Sequence, residues 1–364
     1  MKTILIQIRG NGRVVSGGDI NLLKQLGDML SSDYIIKYTY GPPNNLDKYS
    51  GVVFANVDRP IENYITAKMA VKKKIPIFLY CLHHPNAGVS KYLVEMPFSL
   101  KGLIAKFSCG NVRLYENTSW FLRSVYNLVK NKKCTFGTLN KAQKFLLNFS
   151  DVVYVVNDLE KKTIEEDLKL KIRSKTVNLP HPLYFNETTI PDSLVNKMAG
   201  CILVPGRVEF RKNQLFSLGF AKEFPYEKFI VVGALSSTEK NYVTKVFKKI
   251  KTLDNVSYIP ELSSSEFNWL LKNSKCMISS SWFEVTSLIE LQALLYGVPV
   301  LSLAESYVSP FITENYKLFE NKNIEKALLK IISSDTEYKY KFKFEYPNNH
   351  EIKKILLYSL AEVV

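Results

Sequence analysis

Short runs of β-branched and apolar residues alternate along this chain with longer stretches whose apolar positions recur every three or four residues. The first set of runs covers residues 3–8, 34–38, 51–55, 75–82 and 152–156. Helical spacing fills the intervals: over 20–30, Leu22, Leu23, Leu26 and Leu30 line one face, and a second such stretch is 61–73. A polar passage punctuated by Pro180, Pro182 and Pro191 follows. The second set then covers 201–204, 228–232, 256–259, 276–279 and 299–302. Strands that each hand over to a helix predict parallel sheets with helices on both faces. The expectation is therefore an α/β chain of two doubly wound, Rossmann-like domains, 1–185 and 198–335, with a closing segment 336–364. That last segment is amphipathic from His350, through Ile352, Ile355, Leu356 and Leu360, and is expected to strap back onto the first domain. In such sheets ligands sit beyond the carboxyl ends of the strands, so a central cleft between two domains is the expected site.

Length and composition narrow the class. The 364 residues suit two domains of about 150 each. With 46% hydrophobic and 23% charged residues, a disordered, collagenous or disulfide-stapled chain is excluded. The 49 Lys and Arg against 34 Asp and Glu give a net charge of +15, which favours anionic partners: nucleic acid, acidic lipid headgroups or phosphorylated substrates. Five dispersed cysteines, Cys81, Cys109, Cys134, Cys201 and Cys276, fit neither a zinc ribbon nor a disulfide framework. A reduced, cytoplasmic setting is expected, since the opening apolar run is too short for a signal peptide and no run of 18 apolar residues follows.

Two motifs carry chemistry. Residues 205–214 read Pro-Gly-Arg-Val-Glu-Phe-Arg-Lys-Asn-Gln directly after a strand. Gly206 permits a sharp turn, and Arg207 and Lys212 can converge on one anion, Arg by its fork and Lys by its point charge. Taken alone the stretch also reads as a solvated basic loop. Residues 279–300 read as strand, loop, helix, turn and strand. Thr286 or Ser287 is the N-cap of a helix running to Tyr296, and Gly297 ends it. That helix start, Val285 through Leu288, offers unpaired amides and a positive dipole end to a phosphate. Glu284 stands ready to accept sugar hydroxyls, and Gln292, two turns in, to reach a further one; the bland alternative is a capping and solvent-facing pair.

At these residues the chain resembles the C-terminal domain of a GT-B, family-4-type retaining glycosyltransferase. That family has a Gly-Arg and a downstream Lys after its first strand, matched by Gly206, Arg207 and Lys212. It also has two Glu separated by seven residues ahead of a Gly-x-Pro-Val strand, matched by Glu284 and by Gly297-Val298-Pro299-Val300. The resemblance implies that Arg207 and Lys212 bind a donor diphosphate, that Glu284 contacts the transferred sugar, and that the second acidic position holds the nucleotide ribose. Here that position is Gln292, with Glu290 two residues early, and Val285, Thr286 and Ser287 replace the family's glycines. Pro260, Glu261 and Leu262 occupy the stretch where the family cups the nucleotide base, and Gly233 is another strand-end glycine turn, expected to face the cleft.

The first half adds Gly17 and Gly18, where the family has a glycine pair beside the donor phosphates, and where an ordinary loop is the alternative. His83 and His84 close the run at 75–82; either one would stabilise developing charge on the sugar or position the acceptor hydroxyl, unless the pair is structural. Residues 101–150 hold Lys101, Lys106, Arg113, Arg123, Lys130, Lys132, Lys133, Lys141 and Lys144 against one acid, Glu116, interleaved with Phe107, Trp120, Phe121, Tyr126 and Phe136. This reads as a face for an anionic membrane surface or as a solvated one.

The implied reaction moves a sugar from a nucleoside-diphosphate sugar to a hydroxyl on a glycan, a lipid-linked sugar or a protein, with retention. The sequence contains no Asp-x-Asp pair, so the metal signature of the other major transferase fold is missing and neither a metal nor another cofactor is expected. A catalytically silent nucleotide-sugar binder is the alternative that Gln292 and the lost glycines suggest. A nucleic-acid-binding role is not expected, since no zinc finger or aromatic RNP strand accompanies the charge.

Overall fold

The computed structural model describes residues 1–13, 17–97, 99–129, 138–184, 198–303, 307, 324–333 and 346–364. Several residues singled out from the sequence lie outside these: Lys130, Lys132, Lys133, Cys134, Phe136 and Pro191, together with the expected joint 185–197 and the start of the closing segment, 336–345. The chain divides into two compact units. One comprises Met1–Asn86, Leu93–Pro182 and Pro347–Val364, the other Ala87–Tyr92 and Leu183–Tyr346.

In chain order the first part runs β1 (Thr3–Ile8), α1 (Gly18–Leu30), β2 (Ile35–Tyr40), β3 (Gly51–Ala55), α2 (Pro60–Lys73), β4 (Ile77–Tyr80), α3 (Asn86–Glu95), α4 (Leu100–Phe107), α5 (Val112–Val129), α6 (Leu139–Phe149), β5 (Val152–Val155), α7 (Asp158–Leu168) and β6 (Lys175–Asn178). Its six strands pair in parallel in the order β2-β1-β3-β4-β5-β6. The inner strands β3, β4 and β5 are buried along their whole length, as expected of a parallel sheet covered on both faces. Leu5, Val52, Phe54, Leu79, Val153 and Val155 turn to one side, where Ala67 and Ala70 of α2, Leu146 and Leu147 of α6 and Ile164 of α7 meet them.

The edge strand β6 has no counterpart in the sequence reading. Lys-Thr-Val-Asn carries one large apolar residue, and a half-exposed edge needs no more. Helix boundaries are set by local chemistry: Asn157 caps α7 by accepting from the Glu160 amide at 3.1 Å.

The second part continues with β7 (Ile202–Pro205), a 3₁₀ turn at Phe210–Lys212, α8 (Gln214–Glu223), β8 (Phe229–Val232), α9 (Lys240–Ile250), β9 (Val256–Ile259), α10 (Ser264–Lys272), β10 (Cys276–Ser279), α11 (Leu288–Leu295), β11 (Val300–Ser302) and α12 (Ile324–Ser333). Its five strands are again parallel, in the order β11-β10-β7-β8-β9. Alternate residues serve opposite faces. Ile202, Val204, Val231 and Ile278 pack with Leu218 of α8, Val246 of α9 and Leu328 of α12. Leu203, Ile230, Val232 and Met277 pack with Leu270 of α10 and Leu291 of α11.

The last helix, α13 (Asn349–Ala361), belongs to the first unit. Its Ser359 hydroxyl shares a buried hydrogen bond of 2.7 Å with Tyr154 of β5. Lys353 reaches Ser32 at 2.7 Å, and Glu362, just past the helix, pairs with Lys175 of β6. A capping box of Asn348 and Glu351 fixes where α13 starts.

Candidate functional site

Strands β7 and β10 are neighbours in the second unit, so the loops leaving their carboxyl ends run side by side. After β7, Gly206 turns at φ +125°, a value an L-residue rarely adopts. Gly233, after β8, sits at φ +146°, and a Cβ there would lie 2.4 Å from the Gly206 carbonyl oxygen. Glycine at 233 is what lets these two strand ends touch. The chain then winds one 3₁₀ turn, and Asn213, left-handed at φ +51°, redirects it into α8. Side chains stitch the loop in place: Gln214 donates to the Arg207 carbonyl at 2.8 Å, and the Ser280 hydroxyl donates to the carbonyls of Lys212 and Asn213 at 3.0 and 2.9 Å.

This framework brings Lys212 and Glu284 together. Lys212 Nζ donates to Glu284 Oε1 at 2.5 Å, and Arg211 Nη1 donates to the same oxygen at 2.9 Å. Burial alone would raise the Glu284 pKa; the charges of Arg211 and Lys212 outweigh it and hold the carboxyl well below the usual range. Arg211 also grips Glu209, at 3.1 Å. Arg207 lies further out, its side chain 41% exposed and 3.8 Å from Glu209. Arg211 and Lys212 are balanced by Glu284 and Glu209, so the one net positive charge of the cluster is that of the exposed Arg207, the side chain placed to meet an anion.

Arg211 had no role in the sequence reading. Its position next to Lys212 was visible, but only the neighbouring loop after β10 shows that it faces inward.

Glu290 falls two residues short of the second acidic position of the family pattern. It points into the protein, 1% exposed, and accepts from Ser302 Oγ at 3.1 Å. Burial, with smaller contributions from Glu284, pushes its pKa up to about 7 against the hydrogen bonds from Ser279 and Ser302. A carboxyl raised from about 4.5 binds its proton more tightly in the folded state, so stability falls as pH rises from about 4.5 to 7. Glu290→Gln keeps an acceptor without the charge. It is expected to be near neutral at pH 4.5 and to raise stability by about 3 kcal/mol at pH 8, read from denaturant midpoints across pH. A variant whose pH profile parallels the parent would show that Glu290 is not the titrating group.

The remaining candidates of this unit fall where the strands end. Ser287 is the N-cap of α11 by backbone, with no hydrogen bond from its side chain, and Gly297 ends the following turn at φ +75°. Val285 is buried, while Thr286, Ser287, Leu288 and Gln292 are half-buried. Thr286 Oγ1 and Trp282 Nε1 are buried with no hydrogen-bond partner among the described residues. Pro260 and Glu261 are exposed beyond β9, and Leu262 packs against the core.

The first unit holds a separate charged cluster. His83, 2% exposed, has Nδ1 on Asp58 at 2.7 Å and Nε2 on Asp167 at 2.9 Å. Its amide donates to Glu160 at 2.9 Å. Burial pulls the imidazole pKa down, but the carboxylates of Asp58 and Asp167 outweigh it and push it up to about 10. His83 is thus a buried cation with both nitrogens taken. With both ring nitrogens on carboxylates, the cluster takes the form of the structural alternative for this residue. His84, with Nδ1 on the same Asp58 at 2.9 Å, keeps a ring 30% exposed. Gly17 and Gly18 open α1, next to the Arg9–Asp19 ion pair at 2.9 Å. Ser16 before them lies outside the described residues. Among those residues no group of three or more His, Cys, Asp or Glu is placed to hold a metal.

Comparison with known proteins bears on the second unit and on the fold. Residues 185–343 match the family model of glycosyl transferases group 1. No curated protein matches the chain by sequence. Among solved structures, sucrose-phosphate synthase from Thermosynechococcus elongatus is similar at a TM-score of 0.65 and 12% identity, covering 100% of this chain and 95% of that one. The Anabaena protein HepE in complex with UDP is similar at 0.62 and 13%, covering 100% and 94%. UDP-N-acetylglucosamine 2-epimerase from Rickettsia bellii is similar at 0.57 and 13%, covering 100% and 96%. At such identities the likeness is one of fold, and the fold is GT-B.

Proposed function

We propose that this protein is a retaining, family-4-type glycosyltransferase that moves a sugar from a nucleoside-diphosphate donor to an acceptor hydroxyl. The observation that carries the reading is the convergence of Arg211 and Lys212 on Glu284, within the segment that matches the group 1 family model. Arg207 and Lys212 neutralise the leaving diphosphate, the task a divalent metal performs elsewhere, and Glu284 holds the transferred sugar. The amides at the start of α11 and the buried hydroxyl of Thr286 add donors for the phosphates. Transfer proceeds from the front face, and the departing phosphate takes the acceptor proton, so no protein base is assigned. The acceptor is a glycan, a lipid-linked sugar or a protein, met in the cytoplasm at an anionic membrane. HepE bound to UDP is a neighbour by fold and supports a nucleotide ligand.

A second reading, a silent nucleotide-sugar binder, is favoured by Gln292 at the ribose position and by Val285, Thr286 and Ser287 in place of glycines. Both readings are tested by thermal shift against a panel of nucleoside diphosphates and their sugars, followed by a transfer assay with the donor that binds. A donor at 100 times its dissociation constant is expected to add about 2.7 kcal/mol. Stabilisation without turnover selects the silent form. No stabilisation by any nucleotide removes both.

A further inference from the structure

Helix α5 carries apolar residues on its outward side as well as its inward one. The outward ones, Leu114, Phe121, Leu122, Val125, Tyr126 and Val129, recur at i, i+7, i+8, i+11, i+12 and i+15, a single stripe along the helix. All six are exposed, Phe121 and Tyr126 by 60% and Val129 by 73%. The inner side carries Val112 and Trp120, Trp120 packing on Leu139 and Ala142 of α6, together with polar residues. Arg113 donates to the Asp167 carbonyl at 3.0 Å, Asn117 accepts from the Leu139 amide at 3.1 Å, and Glu116 borders a water-sized hollow beside His83. Helix α4, which packs on α5, adds Leu103 and Phe107 four residues apart, Phe107 being 77% exposed. An apolar face of this extent on a soluble surface marks a docking site.

We propose that the faces of α4 and α5 seat the first unit on an anionic lipid surface. Charge selects that occupant. Lys101 and Lys106 of α4 and Lys141 and Lys144 of α6 are all exposed, while Glu116, the one acid in 101–150, is committed to the interior. A second copy of the chain would bring the same lysines against these, in a protein already at +15. Anionic headgroups complement them, and the stripe enters the acyl boundary as an interfacial helix does. Among the described residues no helix is long and apolar enough to cross a membrane, so attachment is to the surface. The inference depends on the first unit alone, and donor binding by the second can stand if it fails.

The test is co-sedimentation of the full chain with vesicles of phosphatidylcholine alone and of phosphatidylcholine with phosphatidylglycerol. The expected result is binding to the mixed vesicles only, weakening as salt rises. Phe121→Ser with Tyr126→Ser should reduce partitioning by about tenfold or more, and Lys101→Glu with Lys106→Glu should abolish the preference for anionic lipid. These side chains point outward, so an unchanged thermal midpoint checks that each variant is folded. The proposal is overturned by absent or equal binding to the two vesicle types, by serine variants that bind as the parent does, or by a dimer that the serine variants dissociate.

Discussion

Lys212→Met is expected to lower transfer, as kcat/KM, by at least about a hundredfold while the protein stays folded. A preorganised cation aimed at a leaving group is worth about that much when removed. The fold should survive because the Lys212 stem lies against Gly206, and methionine retains most of that contact. The partner is not orphaned either, since Glu284 keeps Arg211 at 2.9 Å. Arg207→Ala should behave alike, with even less effect on stability, given its exposed side chain. Glu284→Gln differs in kind. It leaves two inward-facing cations on a neutral amide, and Arg211 is then compensated by Glu209 alone. That variant should lose stability as well as turnover, since breaking a buried pair costs up to about 3–5 kcal/mol. Its nucleotide affinity, measured by calorimetry, should fall less than its turnover. Normal transfer in both Lys212→Met and Arg207→Ala would remove the diphosphate clamp. An equal fall of affinity and turnover in Glu284→Gln would remove the sugar contact.

The parts of this site that were legible in the sequence are those fixed by backbone rules. Runs of four to eight largely apolar residues placed ten strands of the two sheets, because buried parallel strands need no alternation. Gly206 and Gly297 were readable as turns because positive φ selects glycine. Arg207, Lys212 and Glu284 stood out by spacing after strands whose ends must face one way in a parallel sheet. What escaped depends on contacts between distant segments. Arg211 and Lys212 are adjacent cations in sequence, and only the β10 loop shows that both point at Glu284. Helical arithmetic alone does not tell which face of α11 is covered, and Glu290 is on the covered one because β11 brings Ser302 to it. For α5 the stripe alone does not tell which side is covered. Its apolar stripe faces water, while Trp120 on the other side packs against α6 and Arg113, Glu116 and Asn117 border the hollow beside His83.

His83→Leu is expected to destabilise the protein by about 3–5 kcal/mol near neutral pH, the cost of leaving the other half of a buried charge pair alone. Asp58 and Asp167 would both lose their cation, and Asp58 would keep only His84. The wild-type stability should also carry the signature of the imidazole. Its pKa is raised from about 6.5 to about 10 in the folded state, so its contribution is complete below pH 6.5 and disappears as pH climbs through 10. Between pH 8 and pH 10 the wild type should lose about 2 kcal/mol that the variant does not lose, because leucine has nothing to titrate. Glu160, pushed up to about 7 by burial, is already ionised across that window, whereas Glu116, pushed up to about 8 by burial beside the same cluster, titrates at its lower edge, so both proteins are compared in a Glu116→Gln background. Asp58 works at the other extreme: its carboxyl is held below the ordinary range by the two histidines despite burial, and its contribution is lost only in acid. Adding Asp167→Asn to His83→Leu should recover part of the loss, since it removes one of the stranded charges. Parallel pH profiles for wild type and His83→Leu would mean that the imidazole is neutral in the folded protein, and its place between two carboxylates would then need a different proton.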